Sequence, residues 1–273
     1  MAGLLVYRAV NSWAGPMMEI KRVQREGSKF YKLDQRSTAL YNHIQQAAWY
    51  IRSRHSHAAL KQIGAGEKLD PANPVFDYLR AQTAAEQGDM PTALARIRRG
   101  NAKGVMRTYG SRNVPPGWWR SGEIDIAARL AKHIAEDQSA AAPDIEAALA
   151  MTEKLTWCEP TDLDKLLTAV LTRHAVAKRL HSVAKKKGDR QLADLCQALM
   201  TESRLASFAV RRRLALIGND STTRATVIGR TLRGSDQEFR NATMLYVRDR
   251  QAALADECRR ELLKTKVPGE MGR

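Results

Sequence analysis

Residues suited to metal or acid–base chemistry are few and scattered. His55 and His57 form an HxH pair. No second ligand cluster lies nearby in sequence, so a solvated turn is the simpler reading. His174 and His181 are two turns apart on one helix face, whereas joint ligation needs neighbours three or four apart. Asp162 and Asp164 stand at a helix start, where the dipole favours carboxylates, and do not form an acid–base dyad. Cys158, Cys196 and Cys258 are odd in number and show no CxxC spacing, which argues against a disulfide framework or a zinc knuckle and for reduced, buried thiols. No phosphate loop, GxSxG or HExxH motif occurs. The expectation is a protein with no catalytic residues, no metal site and no cofactor.

Recognition chemistry is better represented. Basic clusters occur at Arg96-Ile97-Arg98-Arg99, Lys185-Lys186-Lys187, Arg211-Arg212-Arg213 and Arg259-Arg260. Arg211, Arg212, Arg213, Arg224, Arg230 and Arg233 fall in one C-terminal stretch and form a candidate phosphate-tracking surface. Few aromatics accompany them, which weakens a single-strand-binding reading. A helix-turn-helix around Gly234 is disfavoured, because Arg230 stands where its turn needs a small residue. Trp118 and Trp119 lie in Asn113-Val114-Pro115-Pro116-Gly117-Trp118-Trp119. Two prolines and a glycine make that stretch a loop, and adjacent tryptophans on a loop are candidate partner contacts.

The elements that position these residues read as helices. The chain has 273 residues, is 44% apolar and only 6% aromatic, long enough for a sizeable core. Runs of alternating polarity are scarce, so the fold class is all-α. The net charge is +16. Residues 1–60 contribute +6, residues 61–160 are neutral and residues 161–273 contribute +10. That field suits an acidic protein partner, nucleic acid or an anionic surface. No apolar run is long enough to span a membrane, and a cytoplasmic location is expected. The apolar stretch from Met1 to Met18 keeps an export signal or anchor remnant open as an alternative.

Shifting the chain by 34 residues sets Ala47 on Ala81, Ala59 on Ala93, Leu60 on Leu94, Ile63 on Ile97 and Gly66 on Gly100. Such recurrence is what a stack of helical hairpins requires, with small residues where helices cross closely. These residues resemble the tetratricopeptide repeat. The first unit runs from Leu40 to Asn73 and includes Leu69-Asp70-Pro71. The second runs from Pro74 to about Arg107, with a Gly88-Asp89 turn. Four departures stand out: Arg54 replaces the turn glycine, Arg80 replaces a leucine, Gly100 replaces an alanine, and the second unit lacks the closing Asp-Pro. Gly188-Asp189 followed by Ala193 echoes Gly88-Asp89 followed by Ala93. Ala148, Leu149 and Pro160 echo Ala59, Leu60 and Pro71.

The resemblance implies a solenoid whose first helices line a concave groove for an extended peptide. It places Tyr41, Ile44, Ala48 and Arg52 beside Tyr78, Gln82 and Glu86 in that groove. The Lys/Asn set of chaperone-binding members is missing. The expected organisation is an N-terminal segment over 1–39, repeats over 40–112, degenerate hairpins over 118–200 and basic helices over 201–273. Helices are expected over 121–137, 143–155, from Thr161 onward with a stripe of Leu163, Leu166, Leu167, Val170, Leu171 and His174, over 190–217 closed by Gly218, over 222–233, and from Ser235 to Pro268. Met244, Val247, Leu254, Cys258 and Leu262 mark the buried face of the last. The expected function is a protein-interaction adaptor or assembly factor, with nucleic-acid binding by the C-terminal arginines as the rival.

Overall fold

The computed structural model describes residues 35–109, 122–158 and 163–229, with side chains described as far as residue 212. Its regular elements are α1 (Gln35–Arg52), α2 (Ser56–Leu69), α3 (Val75–Glu86), α4 (Met90–Asn101), α5 (Gly122–Glu136), α6 (Ala142–Thr156), α7 (Leu163–Lys187) and α8 (Arg190–Gly229). Among the described residues there is no strand beyond a single bridge residue at Arg107. Consecutive helices pack as pairs: α1 on α2, α3 on α4, α5 on α6 and α7 on α8. The pairs are joined through α2 with α3, α4 with α6, α6 with α7 and α5 with α7. One core runs from Leu40 to Cys196, and a smaller cluster of Leu163, Leu166, Val170, Ala206 and Val210 joins α7 to α8.

Three of the four hairpin turns share one hydrogen-bond pattern. Asp89 N–H donates to the Ala84 carbonyl and Gly88 N–H to that of Ala85. Asp189 and Gly188 donate in the same way to Ala184 and Lys185, and His55 and Arg54 to Tyr50 and Ile51. This is the helix-ending motif that needs a left-handed residue after the C-cap. Gly88, Gly188 and Arg54 supply it at φ of +80°, +73° and +59°. Arg54 therefore keeps the backbone that glycine would adopt freely, with a steric cost on the order of 1 kcal/mol. Asp89 and Asp189 then cap the following helices by accepting from Thr92 N–H and Leu192 N–H, each at 3.0 Å.

Small residues hold the crossings close. Ala47, Ala59, Ala81, Ala93 and Ala148 are all fully buried. The glycine at 100 has its own cause. A Cβ there would lie 2.6 Å from Cε1 of Tyr78, whose ring is buried and whose hydroxyl donates to Asn101 Oδ1 at 2.9 Å. Gly66 makes equal room for Phe76, whose ring an added Cβ would strike. Arg80, in the place of a leucine, donates from Nε and Nη2 to Glu67 at 3.1 and 3.0 Å. Glu67 also pairs with Arg99, and Arg99 reaches buried Asp77 at 2.6 Å, beside Lys103 at 2.5 Å. Burial acts to raise the Glu67 pKa, but Arg80 and Arg99 outweigh it and hold the carboxyl below its ordinary range. Asp70 accepts from the Tyr109 hydroxyl. The amide of Asn73 brackets Arg107, donating to its carbonyl at 2.7 Å and accepting from its N–H at 3.2 Å.

One expectation is corrected. Helix α8 runs unbroken through Gly218, so Gly218 is not a C-cap and Asp220 or Ser221 does not start a new helix at 222. A glycine inside a helix weakens it by about 1 kcal/mol without breaking the hydrogen-bond ladder. The expected helix from Ser235 to Pro268, the Trp118-Trp119 loop and the 161–162 cap lie outside the described residues.

Candidate partner-binding cleft

Of the residues expected to line a groove along α1 and α3, Ile44, Ala48 and Tyr78 are buried. Helix α5 packs against both α1 and α3 and also touches α7. At its first residue, Gly122, a Cβ would stand 3.0 Å from the Arg52 guanidinium and 3.1 Å from the Ala48 Cβ. The absence of a side chain there is what lets α5 approach α1. The next residue, Glu123, is buried. It accepts from Gln45 Nε2 of α1 at 3.1 Å and lies 3.8 Å from the Lys165 ammonium of α7.

Beside this junction lies a cavity of about 350 Å³ lined by Arg52, Asp125, Ala128, Arg129, Lys132 and Thr168. Asp125, Arg129 and Lys132 follow one another at four and three residues on α5, so they share a face. Arg129 and Lys132 are exposed. Arg129 Nε donates to its own helix at the Asp125 carbonyl, 3.3 Å away. Arg52 meets Asp125 at 3.4 Å, with both side chains about 40% exposed. A pair so exposed contributes only about 0–1 kcal/mol, so an incoming anion displaces it at little cost. Three cations and one carboxylate thus line one open face, with only Arg52 paired to the carboxylate.

The residues singled out in the sequence divide accordingly. Arg52 lines the cleft. Ile44 and Tyr78 are fully buried and Ala48 nearly so, so they are core residues that offer no surface to a partner. Ala48 stands against Gly122 of α5, and the Tyr78 ring lies against Gly100 of α4. Tyr41 and Gln82 are half-buried, and Gln82 donates to exposed Glu86 at 2.9 Å on the same helix. Trp118 and Trp119 lie outside the described residues. Asp125, Arg129 and Lys132 were missed, although their spacing within 121–137 was visible. Only the approach of α1 marks that face as part of a concavity.

Of the C-terminal arginines, Arg211 and Arg212 are exposed on α8. The side chains of Arg213 and Arg224, and all of Arg230 and Arg233, lie outside the description. His55 and His57 are exposed at the first hairpin turn, and the His55 ring stacks on Trp49. His174 and His181 place Nδ1 against the Met200 and Ala193 carbonyls of α8, at 3.2 and 2.8 Å. Among the described residues no three His, Cys, Asp or Glu side chains gather as metal ligands, and no helix is long and apolar enough to cross a membrane. Compared with known proteins, the chain matches no family model, no curated protein and no solved structure.

Proposed function

We propose that this chain is a non-enzymatic adaptor built from tetratricopeptide-like helical hairpins, and that it captures an acidic segment of a partner protein in the cleft between α1, α5 and α7. The observation that carries this reading is the charge of the cleft. Arg52, Arg129 and Lys132 face one half-buried carboxylate, Asp125, and Lys132 has no acidic partner among the described residues. A concave wall with an excess of one sign of charge, here three cations to one carboxylate, speeds encounter with the opposite sign. The recurring turns and the 34-residue repetition of buried alanines support the hairpin family. The buried carboxylates Asp77 and Glu123 are engaged by cations of neighbouring helices, which suits a scaffold better than a catalyst.

The test is fluorescence anisotropy with a labelled Glu-rich peptide, comparing the native chain with Arg129→Glu/Lys132→Glu. The reading expects binding that weakens with salt and falls at least about tenfold in the double variant, since two attractive charges become repulsive. Equal binding by both proteins refutes the cleft.

Exposed Arg211 and Arg212 on α8 favour a second reading, contact with nucleic-acid phosphate. A generic labelled oligonucleotide, measured at two salt concentrations, then binds with a steep salt slope. Arg211→Gln/Arg212→Gln flattens that slope and leaves peptide binding intact.

A further inference from the structure

Phe208 is the most exposed large apolar side chain among the described residues, at 70%. On the opposite side of α8, Ser203, Ala206 and Val210 are buried against the array. The helix itself therefore sets the neighbours of the Phe208 ring. The residues one turn away in either direction are Arg204, Leu205, Arg211 and Arg212, with Cβ atoms about 5–6 Å from that of Phe208. Leu205 is 66% exposed, and all three arginines are exposed.

The positive charge around the ring is not neutralised. Glu202 is the one acid between Met200 and Arg212, and Arg173 of α7 donates to it at 3.0 Å. Arg204, Arg211 and Arg212 have no acidic partner among the described residues. A ring face with three cations around it matches a ligand that repeats flat rings and negative charges along one chain.

We propose that this patch binds single-stranded nucleic acid, with one base stacked on Phe208 and the neighbouring phosphates on Arg204, Arg211 and Arg212; this rests on the phosphate-contact reading of Arg211 and Arg212 given above. Every base has a π-face, so an exposed aromatic ring serves as a platform for any of them. In a duplex the bases are stacked on one another, and a ring on a helix surface then meets only sugar and phosphate. The scarcity of aromatics near the C-terminal arginines counted against single strands in the sequence. Phe208 is the only aromatic residue of α8, and the helix sets it in the middle of three arginines.

Fluorescence anisotropy on the full-length chain tests this with three labelled ligands of equal length: an oligothymidylate, its duplex with oligoadenylate, and an abasic strand. Phe208→Leu keeps apolar bulk and removes the ring face. It should weaken oligothymidylate binding at least about fivefold and leave duplex binding, abasic binding and the salt slope unchanged. Phe208→Tyr keeps the ring and should bind as the native chain does. Arg204→Gln/Arg211→Gln should weaken all three ligands and flatten the salt slope on single strands by about 0.7 per lost contact. All four positions of the patch are exposed, and circular dichroism checks that the variants keep the fold.

Equal oligothymidylate affinity in the native chain and Phe208→Leu overturns the stacking site; a salt slope that still depends on the arginines then leaves the phosphate reading standing. No binding of any oligonucleotide at low salt overturns both. Binding to vesicles of phosphatidylserine and phosphatidylcholine in place of oligonucleotides, retained by Phe208→Leu, assigns the patch to a lipid surface, where leucine anchors as phenylalanine does, and also overturns the proposal.

Discussion

Gly100→Ala separates two effects of opposite sign. Glycine inside a helix is less favourable than alanine by about 0.5–1 kcal/mol, so propensity alone predicts a more stable protein. The structure predicts the reverse. A Cβ at 100 lies 2.6 Å from Cε1 and 3.1 Å from Cδ1 of Tyr78, and 3.2 Å from the Cβ of Asp77. Neither neighbour has room to retreat. The Tyr78 ring is buried and tied to Asn101, and Asp77 is buried among Arg99 and Lys103. Overpacking of such a site costs about 1–3 kcal/mol, so the net change is a loss of up to about 2.5 kcal/mol. Gly64, in the middle of α2, is the control. Its added Cβ meets only the Arg80 guanidinium at 3.6 Å, an ordinary contact, so Gly64→Ala gains about 0.5–1 kcal/mol. Thermal melts followed by circular dichroism at 222 nm resolve the two, at about 2–4 °C per kcal/mol for a chain of this size. If Gly100→Ala melts at or above the native midpoint while Gly64→Ala does not, the packing of Tyr78 over Gly100 is wrong.

Arg54→Gly relieves a left-handed residue at φ +59° and should raise stability by about 0.5–1 kcal/mol, part of the relief being offset by a freer unfolded chain; a urea midpoint that falls instead counts against the shared turn. Ala93→Leu overfills the crossing of α3 and α4, where Ala93 is fully buried, and should cost about 1–3 kcal/mol in the same assay. Burial, followed by the charges of Glu146 and Asp189, pushes the Cys196 thiol up to about 11. Because the folded form holds that proton more tightly, this group's contribution to stability falls as pH rises from about 9 to about 11. At pH 8 the thiol is protonated and buried, and mass spectrometry after iodoacetamide treatment should find Cys196 unmodified until the protein is unfolded.

Local rules in the sequence carried far into the structure. Gly88-Asp89 and Gly188-Asp189 mark the same turn a hundred residues apart, since that backbone takes a left-handed residue and the aspartate after it caps the next helix. Ala59 and Ala93 mark close crossings because no larger side chain fits them. The departures were legible as positions and opaque as causes. Arg54 keeps the turn at some strain, whereas Arg80 answers Glu67 and Gly100 answers Tyr78, each a residue of another helix. The burial of Ile44, Ala48 and Tyr78 was hidden for the same reason. Whether Tyr78 and Ala48 face solvent depends on residues of other helices, Gly100 of α4 against Tyr78 and Gly122 of α5 against Ala48. Gly218 was misread because its cost is small enough for a 40-residue helix to absorb.

The central claim is that the cleft of Arg52, Arg129 and Lys132 holds an acidic protein partner. Affinity capture from the source cells, with and without nuclease, tests it most directly when the native chain is set beside Arg129→Glu/Lys132→Glu and Arg211→Gln/Arg212→Gln. The account predicts protein partners that survive nuclease, disappear with the cleft variant and persist with the α8 variant. Capture that nuclease abolishes and that the cleft variant leaves unchanged contradicts it.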